Sequence, residues 1–147
     1  MHTRLFEGGT DMLIVAVGLY CFAALGTFAM AIVYGVAPVP TAYHREILKL
    51  DGSDKGKNAV RIIGALCRVL GGAFAALAFM LVWLALVPIS ADVLSAKLAA
   101  LVAGLAVAIP SMIIPMQIEK DTGIRTPWRI AAVLLVVILV AFVLSVL

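Results

Sequence analysis

Apolar and polar residues alternate along the 147-residue chain in long blocks rather than in short periods. At 1.5 Å per residue, a helix of about 20 apolar residues crosses a hydrocarbon core of roughly 30 Å. Apolar runs of this length predict four membrane-spanning helices, over residues 12–37, 58–88, 91–114 and 127–147. Since proline removes a helical hydrogen bond, we expect the third helix to be interrupted and then ended by the two prolines near its end.

The connection between the first two runs, residues 38–57, is the longest polar stretch of the chain. Within it, the apolar residues of segment 41–50 recur on one helical face, which is typical of a short helix lying on a membrane surface. Thr41 is suited to cap the start of this helix, and Gly52 follows its end. We therefore expect a short interfacial helix on the side that carries this connection.

The composition agrees with a membrane protein and excludes several other classes. The chain is 65% hydrophobic and 13% charged, whereas soluble domains are roughly 45–50% apolar and about 25% charged. Four crossings leave no room for a separate soluble catalytic domain, a dinucleotide-binding unit or a nucleic-acid-binding module. The predicted fold class is an all-α integral membrane protein, a four-transmembrane-helix bundle formed by a single domain over residues 1–147.

The basic residues indicate an orientation for this bundle. Most Lys and Arg side chains fall in the first and third connections and their flanks, whereas the opposite side has only Arg4 and Lys97. Basic residues in short loops mark the cytoplasmic face, so we expect both termini on the outer side (N-out/C-out). This bias by itself accounts for the net charge of +3, and no nucleic-acid partner is expected.

The residues that carry most metal, redox and transport chemistry are poorly placed for it. His2 and His44 fall outside the spans and on opposite sides, so a haem held by two histidines is not expected. Cys21 and Cys67 differ in depth by roughly 10–15 Å, too far for a disulfide. The spans have no central carboxylate of the kind used by proton-coupled transporters. We predict no catalytic, cofactor-binding or metal-binding residues.

Small residues are candidates for close helix packing. Helices in lipid associate through van der Waals contact, which small side chains permit. In the second span these residues are Gly71 and Gly72, and in the third they recur every four positions as Ala100, Gly104 and Ala108. Such ridges serve packing within one chain or between chains, and four spans make internal packing the more economical interpretation.

Arg68 lies deepest in an apolar run among the arginines, and Arg61 precedes it on the same helical face. Two interpretations are open. Arg68 could turn into the bundle, towards a lipid or partner group, neutralised by carbonyls that proline frees in the third span or by Glu119. Alternatively, its side chain extends to the cytoplasmic headgroups. The candidate sites for a buried charge or a lipid headgroup are therefore Arg68, Arg61 and Glu119.

Lys97 presents the same choice near the outer side of the third span. Its ammonium could reach the carboxylate of Asp92 or Asp11, or it could extend outward to the membrane interface. We expect the outward extension, because a lysine close to a helix end reaches the headgroups easily.

Four segments of the chain resemble a family of small, uncharacterised four-span bacterial membrane proteins. They are Pro40-Thr41-Ala42-Tyr43-His44, Arg68-Val69-Leu70-Gly71-Gly72, Leu86-Val87-Pro88 and Asp121-Thr122-Gly123-Ile124-Arg125-Thr126-Pro127-Trp128. The resemblance implies a four-helix protein of the bacterial inner membrane, with no assigned activity.

Two functions fit these observations. The first is a non-enzymatic accessory or scaffolding subunit of a homo-oligomer or a larger inner-membrane complex, whose partners are the lipid bilayer and other membrane proteins. The alternative is a protein that binds or carries an amphiphile such as a lipid or quinone. There Arg68 and Arg61 would contact the head group, and the face with Gly71 and Gly72 would make room for it.

Overall fold

The computed structural model describes the backbone of residues 4–36, 42–48 and 54–147, and the side chains of residues 11–36, 42–48 and 56–147. This part of the chain is helical and contains no strand. Its elements are α1 (Arg4–Gly35), α2 (Ala42–Leu48), α3 (Asp54–Leu84), a π-helical turn (Ala85–Ile89), α4 (Leu94–Thr122) and α5 (Trp128–Val146). Helices α1, α3, α4 and α5 are long and apolar enough to cross a membrane, which confirms the predicted bundle and indicates a multi-pass membrane protein.

The four long helices pack in the order α3, α1, α5, α4. Helix α1 has extensive contacts with both α3 and α5, and α5 packs along α4, whereas α3 and α4 touch much less. The main apolar core includes Tyr20, Leu81, Ile89 and Ile138, which are almost fully enclosed. Helix α1 is therefore central, and its buried face is made of the small residues Ala16, Ala23, Ala24, Thr27 and Ala31 together with two tyrosines, Tyr20 and Tyr34.

Helices α1 and α3 make a close backbone contact where α1 ends. A Cβ atom added to Gly71 of α3 would lie 2.6 Å from the backbone nitrogen of Gly35 and 3.0 Å from the carbonyl oxygen of Ala31. Only glycine permits this backbone contact. Because Gly35 is the last residue of α1, the residues of α3 that precede Gly71 extend past α1 by roughly 25 Å at 1.5 Å per residue.

The other predicted packing residues differ in their surroundings. Gly104 of α4 lies against Ile138 of α5, whose side chain would meet an added Cβ at 2.7 Å. Ala100 and Ala108 are buried on the same face of α4. Gly72, in contrast, is exposed, and an added Cβ would meet nothing within 4 Å. Only one of the two adjacent glycines of α3 therefore serves contacts within the bundle.

Helix α4 does not end where its prolines led us to expect. It continues through Pro110 and Pro115 to Thr122, so the prediction of an end at residue 114 is wrong. Membrane helices tolerate proline when neighbouring groups satisfy the freed backbone. The helix ends instead at Gly123, whose φ of 72° is left-handed and whose N–H donates to the carbonyl of Glu119 at 2.9 Å.

The short helix α2 lies within the segment predicted to be helical, but Thr41 and Gly52 lie outside the described residues. The hydroxyls of Tyr34 in α1 and Tyr43 in α2 are 3.3 Å apart. The ring of Tyr43 also lies 4.0 Å from that of His44, centroid to centroid. Partial burial lowers the pKa of His44, because it disfavours the charged imidazolium. These aromatic contacts place α2 beside the end of α1.

Replacing Gly71 with alanine tests the close crossing of α1 and α3. A methyl group there collides with backbone atoms that cannot rotate away, so we expect G71A to lower the unfolding free energy by about 1–3 kcal/mol. The measurement is unfolding in one detergent, followed by circular dichroism. The matched control G72A adds the same methyl group in open space and should be neutral or slightly stabilising. Equal stability of the two variants would contradict the crossing.

Candidate functional site

Lys97 is the most deeply buried charged side chain among the described residues, with 3% of its surface exposed. It lies in the first turn of α4, where its ammonium group donates to the carboxylate of Asp92 and to the backbone carbonyl of Ser145. Asp92 belongs to the connection between the π-helical turn and α4, and Ser145 lies in the last turn of α5. We call this region, where α4 starts and α5 ends, the Lys97 end of the bundle.

A tight turn brings the carboxylate of Asp92 to Lys97. Asp92 has a φ of 62° and is the one described non-glycine residue in the left-handed region, which aspartate tolerates better than most residues. The turn follows Pro88, which lies inside the π-helical turn rather than after a regular helix end. The hydroxyl of Ser90 donates to the carbonyl of Leu86 at 2.8 Å, so it satisfies a backbone group near the proline.

The contacts of Lys97 compensate its charge in two ways. The last carbonyls of a helix have no partner within the helix and carry the negative end of its dipole, so the carbonyl of Ser145 suits a cation. The carboxylate of Asp92 supplies a full negative charge and remains largely in solvent, with 74% of its side chain exposed. Our expectation that Lys97 extends outward is therefore wrong, because its side chain is buried and its ammonium group is paired with Asp92 and the end of α5.

Tyr20 completes the Lys97 end from α1. Its side chain is fully enclosed, and its hydroxyl lies beside Ser145 without a well-aligned hydrogen bond in the described part of the chain. Side chains on a helix lean towards its N-terminus, so the ring of Tyr20 points to the end where Lys97 lies. Polar residues from α1, α4, α5 and the α3–α4 connection thus lie at the same end of the bundle.

At the opposite end, Glu119 joins α4 to the start of α5. Its carboxylate accepts hydrogen bonds from the guanidinium of Arg129 at 2.8 Å and from the backbone N–H of Thr126 at 2.8 Å. The hydroxyl of Thr126 donates to the carbonyl of Pro115, also at 2.8 Å. We call this region the Arg129 end. Glu119 is therefore engaged by the loop that follows it, and not by Arg68.

Arg68 and Arg61 are both exposed on α3. Neither forms a hydrogen bond or an ion pair with another described residue. Because Gly71 packs on Gly35 at the end of α1, Arg68 lies about one turn beyond that end. This position lies outside the bundle interior. The geometry thus favours the interpretation in which Arg68 reaches lipid headgroups.

A small cavity lies at the centre of the four helices. Its volume is about 40 Å³, enough for very few water molecules. Each long helix contributes to its lining, which is apolar except for the hydroxyls of Thr27 and Ser111. The hydroxyl of Thr27 donates to the carbonyl of Ala23 within α1, at 2.8 Å. The cavity therefore presents few polar groups with which to orient a ligand.

Within the described residues, no three His, Cys, Asp or Glu side chains come close enough to hold a metal ion. Cys21 and Cys67 are both free, as their different depths led us to expect. Cys67 is buried beside Tyr34 and Phe74. In the described part of the chain, the notable polar groups are therefore cations: Lys97 is buried at one end of the bundle, and Arg129 is exposed at the other.

Comparisons with known proteins add no relative. No protein-family model, curated protein or solved structure matches the chain. The structure therefore defines the class of this protein, which is a multi-pass membrane protein with four long apolar helices.

Substitutions at Lys97 and Asp92 test the buried charge. We expect D92N to lower the unfolding free energy by about 1–3 kcal/mol, because it leaves a buried ammonium without its counter-charge. K97M should cost less, because it leaves the carboxylate of Asp92 in solvent. Unfolding in detergent provides the measurement, and the double variant D92N/K97M should be no less stable than K97M. If D92N costs less than K97M, the carboxylate does not compensate Lys97.

Proposed function

We propose that this protein is a non-enzymatic accessory or scaffolding subunit of a homo-oligomer or larger complex in a bacterial inner membrane. The observation that supports this proposal is the distribution of small residues around α4. One face of the helix is used within the bundle, and a second face of small residues is turned outward.

The inward face of α4 is buried and packs in part against α5; its small residues are Ala96, Ala100, Gly104 and Ala108. The outward face is exposed or partly exposed, and its small residues are Ser95, Ala99, Ala103, Ala106 and Pro110. These outward residues are spaced by three or four positions, so they form a continuous strip along the helix. An additional helix could approach α4 along this strip as closely as α5 does on the other side.

A freed backbone group lies on the same strip. Pro110 has no N–H, so the carbonyl of Ala106 lacks its usual helical donor. In hydrocarbon an unsatisfied carbonyl is costly, and a polar side chain on a neighbouring helix would relieve it. The outward face of α4 thus combines steric access with an acceptor, both of which favour a protein partner over lipid tails.

The interior is less suited to the alternative function of an amphiphile carrier. Ligand pockets typically enclose roughly 300–1,000 Å³, whereas the central cavity has about 40 Å³. The cation proposed to meet a head group, Arg68, points away from this cavity and is exposed. An interior already filled by packing favours a function carried by the outer surface of the bundle.

We further propose that the Arg129 end faces the cytoplasm and that both termini lie on the outer side. The support is the positive-inside rule, because the exposed Arg68, Lys120, Arg125 and Arg129 gather at this end. Lys97, at the other end, is buried and paired, so it contributes no exposed positive charge there.

Labelling of single cysteines tests this orientation. In a chain with Cys21 and Cys67 replaced by alanine, we expect S90C to react with a membrane-impermeant maleimide in intact cells. D121C, in the connection after α4, should react only after the membrane is permeabilised. Both positions are exposed in the structure, so access to the thiol is comparable. The opposite pattern would place the termini in the cytoplasm.

Bulky substitutions on α4 test the proposed assembly. We expect A99L/A106L to abolish or strongly reduce higher-order species seen by native mass spectrometry of protein extracted in mild detergent, because leucine prevents close helix approach. The matched control A29L/A73L enlarges two exposed alanines on α1 and α3 and should leave assembly intact. The stability of both variants is compared by thermal unfolding. If the wild-type chain is monomeric without protein partners, the subunit proposal fails.

A further inference from the structure

A second exposed surface, on α3 and α1, has the properties of a lipid site. Its polar part is formed by Arg61 and Arg68, seven residues apart and therefore on the same helical face. Both are exposed, and no described residue forms a hydrogen bond or an ion pair with either. Glu119, one of the acceptors that a buried Arg68 could have used, is bound to Arg129 instead.

Arg68 lies just beyond the end of α1, at the depth expected for headgroups, and Arg61 lies about 15 Å beyond that end. Gly35 ends α1 and contacts Gly71 of α3, and Arg68 precedes Gly71 by about one helical turn. The Arg129 end, with its loop between α4 and α5, lies towards the same side, because α1 and α5 run antiparallel: Tyr20 lies beside Ser145 and Gly26 beside Leu134. A guanidinium at this depth next to lipid requires an anion, and a lipid phosphate is the group present there.

An apolar groove of about 210 Å³ begins further along the same face of α3. Its α3 wall includes Ala75 and Phe79, which follow Arg68 at intervals of seven and eleven residues and so lie on the same side of the helix. Gly72 lies between Arg68 and Ala75 and leaves open space. The full lining consists of Ala24, Leu25, Phe28, Ala75, Ala78, Phe79 and Val82.

We propose that this surface binds one anionic phospholipid from the leaflet at the Arg129 end. Arg68 and Arg61 hold the phosphate of the headgroup, and an acyl chain runs past Gly72 into the groove between α1 and α3. Small alanines form the floor of the groove, and Phe28 and Phe79 form its sides. The site is separate from the outward face of α4 and does not depend on the proposed subunit function.

The charge of the surface determines which lipid it selects. Two cations without a counter-charge among the described residues favour a headgroup with net negative charge over a zwitterionic one, whose own ammonium group would be repelled. A surface arginine contributes roughly a fivefold change in affinity for anionic lipid. The groove excludes free phosphate as the preferred ligand, because phosphate gains nothing from an apolar surface.

Native mass spectrometry in detergent tests the headgroup contact, with dioleoylphosphatidylglycerol and dioleoylphosphatidylcholine added as probes. We expect retention of phosphatidylglycerol over phosphatidylcholine, and a fall of about fivefold in its affinity in R68Q. The matched control R125Q removes an exposed charge from the same end but not from this face, and it should retain the lipid. Equal losses in R68Q and R125Q, or no preference for phosphatidylglycerol, would overturn the proposal.

A second pair of variants tests the groove. A75L fills the groove and should reduce retention of phosphatidylglycerol at least as much as R68Q does. A76L enlarges the neighbouring exposed alanine, which does not line the groove, and should retain the lipid. Thermal unfolding identifies any variant that does not fold. If folded A75L retains phosphatidylglycerol as the wild type does, the arginines attract lipid without a specific site and the proposal is wrong.

The assembly variant A99L/A106L should bind the lipid normally, so failure of either proposal leaves the other intact.

Discussion

The backbone contact between Gly71 and Gly35 sets the position of α3 along α1, and much of the remaining structure depends on it. In lipid, helices gain no hydrophobic free energy from association, so close van der Waals contact determines where they cross. Here the crossing occurs at the last residue of α1. Arg68 consequently lies beyond that end, and its exposed side chain turns outward rather than into the bundle. The position of Arg68 relative to the bundle is therefore set by where α3 crosses α1.

The two ends of the bundle differ in whether their basic side chains are buried or exposed. At the Lys97 end, a buried ammonium is compensated by a carboxylate and by the negative end of α5. At the Arg129 end, Arg68, Lys120 and Arg125 are exposed, and Arg129 is paired with Glu119, which the backbone of the following loop holds in place. One end is thus closed by an internal contact, whereas the other offers positive charge to its surroundings. This asymmetry agrees with an orientation in which the exposed cations face the cytoplasm.

Packing inside the bundle also determines which surfaces remain for partners. Gly104 and Ala100 of α4 lie inside the bundle, with Gly104 against Ile138 of α5, so a separate, outward strip of α4 is left with small residues and a carbonyl freed by Pro110. On α3, Gly71 is used internally and the adjacent Gly72 remains open. Adjacent or regularly spaced small residues are indistinguishable in a sequence. Rotation of each helix about its axis decides which of them pack inside and which face lipid, and this rotation depends on all the neighbours.

The sequence by itself determined the four long apolar helices, the short helix before α3 and the separation of the two cysteines, because these follow from length, periodicity and rise per residue. It did not determine the continuation of α4 through its prolines to Thr122, or the burial of Lys97. That burial requires a left-handed turn at Asp92 and the end of α5, which is 48 residues away. Tertiary structure decided this burial, because a buried charge is stable only where other elements supply its partners.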